Sequence, residues 1–305
     1  MGGFRDGHGA LDMNAPVTIP TDLSALSDAE LRKLENKIAR KHSGMFPWGI
    51  VAWAFGNLAV WLALWPLVIF DIIPLWLGFI VATVNIALVY LPTHDAQHHI
   101  IARPGQKLYW LNELVGHATS WVMVYPYEVL RVTHMDHHKH TNDPDLDVDI
   151  TSHADNAWSA IWKTIRQRQP NGKRSGDYLR CLDRHGRQDL ILLAIGYRLG
   201  FYAILIALAW NGLALEAFFL WWLPYQIAIT YILFFLSWAP HSPGMGQGRY
   251  RDTKNWRSKV GNILSMGMQY HVVHHLHPYI PLMRTPAAYR EMKPILEARG
   301  VQLEM

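Results

Sequence analysis

Cysteine is almost missing. A single residue, Cys181, stands in a chain of 305. That excludes a disulfide-stapled secreted domain, a CxxC metal knuckle and an iron–sulfur cluster on four cysteines. Charge is scarce too: 17% of residues are Asp, Glu, Lys or Arg, against about 25% in an ordinary soluble domain. The 28 Lys and Arg barely exceed the 24 Asp and Glu, so nothing points to a nucleic acid partner. No G-x-G-x-x-G fingerprint occurs, which argues against a flavin or dinucleotide domain. No basic segment leads into a short apolar run before about residue 45, so no signal peptide is expected. A hydrophobic content of 50% excludes a disordered chain. The residues in excess are 17 His and 14 Trp. The first points to metal or proton chemistry, the second to a membrane interface.

Four apolar segments explain the low charge. They cover residues 46–70, 72–91, 190–210 and 213–239, and each reaches the roughly 20 residues that span a bilayer. Asp71 alone separates the first pair and Asn211-Gly212 the second, which predicts two tight antiparallel hairpins. Residues 108–130 form an amphipathic stretch expected to lie in the interface. Of the 28 Lys and Arg, only Arg198 falls inside a span, and the hairpin turns hold none. The positive-inside rule then places both termini and the long central loop in the cytoplasm, in the inner membrane if the cell is bacterial. Residues 1–26 read as a flexible tail. Residues 27–45 read as a basic amphipathic helix lying on the membrane surface, opened by the capping box Ser27-x-x-Glu30, with Leu31, Leu34 and Ile38 on one face. Residues 46–298 form the membrane domain, and residues 299–305 a C-terminal tail.

Most of the histidines fall at four places, all on the predicted cytoplasmic side. They are His94-x-x-x-His98-His99, His134-x-x-His137-His138-x-His140, His241, and His271-x-x-His274-His275-x-His277. Positions i, i+3 and i+4 share one helix face. His134, His137 and His138 therefore form one set, His271, His274 and His275 a second, and His94 with His98 a pair. His99, His140 and His277 point off these faces. Up to nine imidazoles could converge below the membrane, too many for one tetrahedral zinc and well matched to two ions of the iron type. His8, His42, His117, His153 and His185 read as structural or surface residues. Asp95, Asp136 and the run Asp143, Asp145, Asp147 and Asp149 flank the boxes. Asp136 and either Asp143 or Asp145 are candidates to orient a ligating imidazole through its second nitrogen.

At these residues the chain resembles the integral-membrane fatty acid desaturase superfamily, which also holds carotenoid-ring hydroxylases and ketolases. The likeness extends through Leu130–Asn142, Trp238-Ala239-Pro240-His241, Gly248-Arg249-Tyr250 and Gln269–Pro278. It implies an all-α fold of four transmembrane helices under a cytoplasmic helical cap that holds two ferrous ions. The implied ligands are His94, His98, His134, His137, His138, His271, His274 and His275, with His241 as the ninth. In relatives whose first box is HxxxxH, His99 takes the place of His98, and the residues here allow either.

The implied chemistry is O₂-dependent oxidation of an unactivated C–H bond in a membrane lipid. Desaturation of an acyl chain is the first reading, and hydroxylation of a carotenoid ring or other hydrocarbon the second. A metal transporter is a third, disfavoured because every box lies at a span end rather than at the bilayer midplane. Two external electrons are needed per turnover, and the chain has no visible means to carry them. The donor is expected to be a separate ferredoxin or small cytochrome with its reductase. The cations Lys163, Arg166, Arg168, Lys173, Arg174, Arg180, Arg184 and Arg187 are its expected docking patch.

Overall fold

The computed structural model describes residues 17–169, 172–242, 246–255 and 267–303. Most of the tail expected over 1–26, with His8, and the last two residues lie outside that set. Among the described residues all regular structure is helical.

Helix α1 (Asp28–Ser43) starts at the expected capping box. Ser27 Oγ accepts from Glu30 N, and Glu30 Oε2 accepts from Ser27 N at 2.8 Å. The face carrying Leu31 and Ile38 is covered by the C-terminal helix rather than turned toward a lipid surface. It shares a core with Ala288, Met292, Ile295 and Leu296, and Val301 and Leu303 of the supposed tail close the same cluster.

Four helices are long and apolar enough to cross a membrane: α2 (Trp48–Ile69), α3 (Leu75–Gln97), α8 (Asp189–Trp210) and α9 (Ala214–His241). The first hairpin turns at Asp71, φ 55°, and the second at Gly212, φ 83°. Inside the bundle, Asn85 Nδ2 donates to the Asn57 carbonyl at 3.0 Å, joining α3 to α2. Trp61, Ile86, Trp221, Tyr225 and Ile229 fill the space among α2, α3 and α9.

Helix α9 contains two wide i→i+5 stretches, Phe218–Trp222 and Leu233–Trp238. Each precedes a proline, whose missing N–H frees a carbonyl one turn back. The carbonyl of Leu220, four residues before Pro224, is taken up by the Trp61 indole at 3.3 Å, as a buried backbone group in an apolar setting requires. The second stretch runs into Ala239-Pro240-His241. Its wider turns rotate the last residues of the helix and bring His241 round to the other histidines.

The expected interfacial stretch is two helices, α4 (Tyr109–Val122) and α5 (Tyr127–His140), hinged at Val124 with φ 60°. Pro126 fixes the start of α5 and breaks the helical pattern there. The cap is completed by α6 (Ala157–Gln167), α7 (Lys173–Arg184), α10 (His271–Leu276) and α11 (Thr285–Ala298).

Candidate metal centre

Each histidine box lies at a helix position that aims it inward. His94 is on the last turn of α3 with His98 just beyond, the second box is the C-terminal half of α5, His241 ends α9, and the third box is α10. Five imidazoles, of His94, His98, His134, His138 and His274, bring one nitrogen each within 4.8 Å of all the others. The Nε2 atoms of His98 and His134 are 3.0 Å apart, those of His138 and His274 2.9 Å, and those of His94 and His274 3.2 Å. His137, His241 and His275 make a second group. His271 joins it, its Nε2 3.0 Å from that of His241. The groups adjoin: the His138 and His275 rings stack with centroids 4.2 Å apart.

His94, His137, His241, His271 and His274 are buried, and His98, His134, His138 and His275 half-buried. Burial first, and the neighbouring imidazoles second, hold His98, His134, His138, His271, His274 and His275 well below the usual histidine range. These rings are neutral at pH 7, the state a metal requires. The Nε2 of His275 is buried with no hydrogen-bond partner. One N–H per neutral imidazole cannot satisfy every contact among five crowded ring nitrogens, and a cation among them would. A nitrogen-only set of five plus four fits two ions of higher coordination number and exceeds what tetrahedral zinc uses.

His137 differs. Burial lowers its pKa, but Asp147 Oδ1, 2.8 Å from Nδ1, more than offsets this and pushes it up to about 9. Asp147 also accepts from the Asn142 and Asp149 backbone N–H groups, both at 2.8 Å. It thus holds the Nδ1 proton and aims Nε2 at the cluster. His241 Nδ1 donates to the Asp252 carbonyl at 3.1 Å. Asn142 has φ 62° and donates to the Asp252 and Gly246 carbonyls, locking that loop against α5.

The expected carboxylates are placed otherwise. Asp143 Oδ1 caps its own turn, accepting from the Asp145 and Leu146 N–H groups, and Asp145 is exposed. The reason is the turn at Asn142, which brings back Asp147. Asp136 is buried against Arg184 and against His185 Nε2 at 2.8 Å, so His185 is no bystander. Cys181 lies beside Asp136, and burial and that carboxylate push its thiol up to about 12, which leaves it protonated. Asp95 is buried in α3 and accepts from Leu282 N at 3.3 Å.

His99, φ 54°, turns away from both groups, with Nε2 3.1 Å from an Arg131 nitrogen. His117 faces Glu128 at 3.3 Å and His42 faces Glu291 at 3.2 Å. His277 points off the box face to Glu35 of α1, 2.9 Å away. Glu35 is a fully buried carboxylate that the spacing of the sequence did not single out. It also receives Arg249 at 3.1 Å and the Tyr250 hydroxyl at 3.0 Å. It ties α1 to the end of the third box.

The expected docking patch is mostly neutralised from within. Arg174 pairs with Asp149, Arg180 with Asp177, Arg184 with Asp136 and Arg187 with Asp189. Lys163 donates to the His153 carbonyl. Arg166 and Lys173 remain exposed.

A cavity of about 70 Å³ adjoins the cluster, lined by His134, His137 and His271 and also by Tyr125, Arg174 and Tyr178. Its long wall is apolar, made by Ile229, Ile232, Leu233 and Leu236 of α9 with Met123 and Met268. Two or three waters would fill it, so a larger occupant enters only as these side chains shift, which the methionines do readily.

A profile of the fatty acid desaturase family matches residues 70–304. The chain belongs to the fatty acid desaturase family. Among curated relatives of this desaturase-family chain, an sn-1 oleoyl-lipid 12-desaturase of Anabaena variabilis is 40% identical over 22% of the chain and 16% of its own length. A beta-carotene ketolase of Paracoccus sp. is 26% identical over 65% of the chain and 72% of its own length. A dihydrorhizobitoxine desaturase of Bradyrhizobium elkanii is 25% identical over 62% of the chain and 59% of its own length. The chain thus spans a small part of the first relative and most of the second. Family membership and the four apolar helices point to an integral membrane protein.

Proposed function

We propose that this protein is an O₂-dependent di-iron desaturase of membrane-lipid acyl chains. The observation that carries the proposal is the convergence of nine imidazoles into two adjoining groups beside an apolar cavity. His94, His98, His134, His138 and His274 would hold one iron, and His137, His241, His271 and His275 the other. Two irons, with O₂ and two external electrons, supply an oxidant strong enough to remove hydrogen from an unactivated C–H bond, which no side chain here can. The balance is R–CH₂–CH₂–R + O₂ + 2e⁻ + 2H⁺ → R–CH=CH–R + 2H₂O.

The rest is the work of this chain's residues. Asp147 keeps the His137 proton on Nδ1, and the Asp252 carbonyl does the same for His241. Ile229, Ile232, Leu233 and Leu236 exclude water and align the hydrocarbon against the histidines. The electron donor is a separate ferredoxin or small cytochrome. The cluster and both termini face the cytoplasm, following the Lys/Arg asymmetry.

The long alignment to a carotenoid ketolase keeps ring oxidation as the second reading. The test is expression in a host that makes both acyl lipids and carotenoids, with gas chromatography of fatty acids and chromatography of pigments. A new acyl double bond, abolished by His137→Ala, is the expected result. A new carotenoid with unchanged acyl chains would replace the first reading by the second.

A further inference from the structure

The chain leaves α3 by a sharp reversal, and a cleft lies at the corner. His99 takes the left-handed conformation. Its N–H donates to the Ala96 carbonyl at 3.0 Å, and that of Ile100 to the Asp95 carbonyl at 3.1 Å. This pair of bonds closes the helix and sends the following residues off its axis. His98 stands at the turn. Its Nε2 is 3.0 Å from that of His134, and the residue also lines a cleft of about 480 Å³. Residues 43–46 between α1 and α2, residues 98–103 and 106–108, and Tyr279 beyond α10 make the walls. Of the nine converging histidines only His98 reaches it.

The cleft is positive and faces water. Arg103 and Lys107 line it and are exposed, and Arg131 Nη1 lies 3.1 Å from Nε2 of the lining residue His99. Among the described residues no carboxylate lines it. Glu113, which acts on His99, accepts from Asn112 Nδ2 at 3.2 Å. The cations between residues 163 and 187 differ, since four of them close on carboxylates of their own. Residues 43–46 precede α2 and residues 98–108 follow α3. In an antiparallel hairpin these are the same end, so the cleft is on the histidine side of the bilayer. Trp48 and Trp110, exposed at 69% and 60%, suit the headgroup level. The exposed Arg103, Gln106 and Lys107 belong on its water side.

We propose that this cleft is the docking site of the external electron carrier, a small acidic protein that meets the metal centre through His98. This rests on the di-iron reading above and adds to it the surface and the charge of the partner. That reading needs two electrons per turnover from outside, and electron transfer falls steeply with distance. A carrier seated against Arg103 and Lys107 comes up to a half-buried histidine of the five-membered group. Its carboxylates face these two cations, which speeds encounter at low salt. Two successive dockings, each oxidising one reduced carrier by one electron, supply the pair in the balance above. The apolar cavity beside His134, His137 and His271 shares no lining residue with the cleft, so substrate and carrier can be bound together.

Carrier binding to the purified full-length protein in neutral detergent, read by biolayer interferometry, tests this without any turnover. The probes are an acidic plant-type ferredoxin, a basic c-type cytochrome and phosphatidylglycerol. Wild type should bind the ferredoxin at least about tenfold tighter than the cytochrome. That affinity should fall as ionic strength rises from about 0.01 to about 0.15 M, where the screening length drops from roughly 30 to 8 Å. Arg103→Glu/Lys107→Glu should weaken ferredoxin binding at least about tenfold, with metal content and helicity unchanged. Arg166→Glu/Lys173→Glu, the same charge change on exposed cations of the other stretch, should alter it by less than about twofold. Wild type without a preference for the acidic carrier would overturn the proposal. So would an affinity that survives Arg103→Glu/Lys107→Glu, or an equal loss in both pairs. Phosphatidylglycerol binding that is lost in Arg103→Glu/Lys107→Glu while ferredoxin still binds would make the cleft a lipid-headgroup site and also overturn it. A protein that docks ferredoxin through Arg103 and Lys107 yet oxidises no acyl chain would leave this site standing and remove the desaturase reading.

Discussion

Asp147 is the residue whose replacement most sharply separates a metal-supporting network from a packed cluster of histidines. It is 2% exposed and receives three donors: His137 Nδ1, Asn142 N and Asp149 N, each at 2.8 Å. Asp147→Asn keeps the volume but removes the charge, and only one of its two polar atoms still accepts. In the metal-free protein the rise of His137 from 6.5 to about 9 corresponds to on the order of 3 kcal/mol of preference for the imidazolium. Because the folded value lies above the unfolded one, this stabilisation is complete below pH 6.5 and is lost as pH rises to about 9.

Metal must displace the proton on Nε2, so metal uptake by wild type should release that proton and tighten with pH up to about 9. Asp147→Asn should flatten this dependence. It should also weaken metal binding roughly 10–100-fold, about 1.4 to 2.7 kcal/mol, the usual loss when a group orienting a ligand is removed. The assay is chelator competition on detergent-purified protein at several pH values, with circular dichroism confirming that the helices persist. Wild-type chelator resistance in Asp147→Asn at every pH, alongside its loss in His137→Ala, would refute the argument.

His98→Ala should strip metal from the protein, whereas His99→Ala should retain it, since only His98 faces the cluster; metal analysis of both variants decides. Glu35→Gln should lower the melting temperature by an amount matching about 3 kcal/mol, because His277, Arg249 and Tyr250 lose a buried carboxylate together. Burial raises the Glu35 pKa, but His277, Arg249 and Tyr250 hold it below the usual value, so its contribution is present above about pH 4.5 and fades in more acid solution. A melting curve unchanged at pH 7 would show that α1 is not held through this contact. A reporter fused at Asn211-Gly212 should read outside the cytoplasm, and a cytoplasmic signal there would contradict the four-span orientation.

The parts of the fold that repeat a simple period were legible in the residues. Two pairs of apolar runs, one broken only by Asp71 and the other only by Asn211-Gly212, read as paired spans, and HxxHH places three rings on one helix face whatever surrounds it. The contacts made by turns and distant segments were not. Asp147 returns to His137 because Asn142 adopts a left-handed conformation, and nothing in the spacing prefers it to Asp143 or Asp145. Glu35 sits among the basic residues of an amphipathic helix, and its pairing with His277 depends on how the two ends of the chain meet. The register of His241 depends on wide turns in α9 that Pro224 and Pro240 hint at only by the N–H groups they lack. The eight cations between residues 163 and 187 look like one patch in a linear reading. In the folded chain four of them close on Asp149, Asp177, Asp136 and Asp189.

The central claim is that the nine imidazoles form a di-iron centre. Metal content of the purified protein by plasma mass spectrometry, normalised to chain concentration, tests it most directly. The account predicts two irons per chain, falling in His134→Ala, His138→Ala and His274→Ala of one group and in His137→Ala, His271→Ala and His275→Ala of the other. Full occupancy by zinc in a protein that still turns over would contradict it.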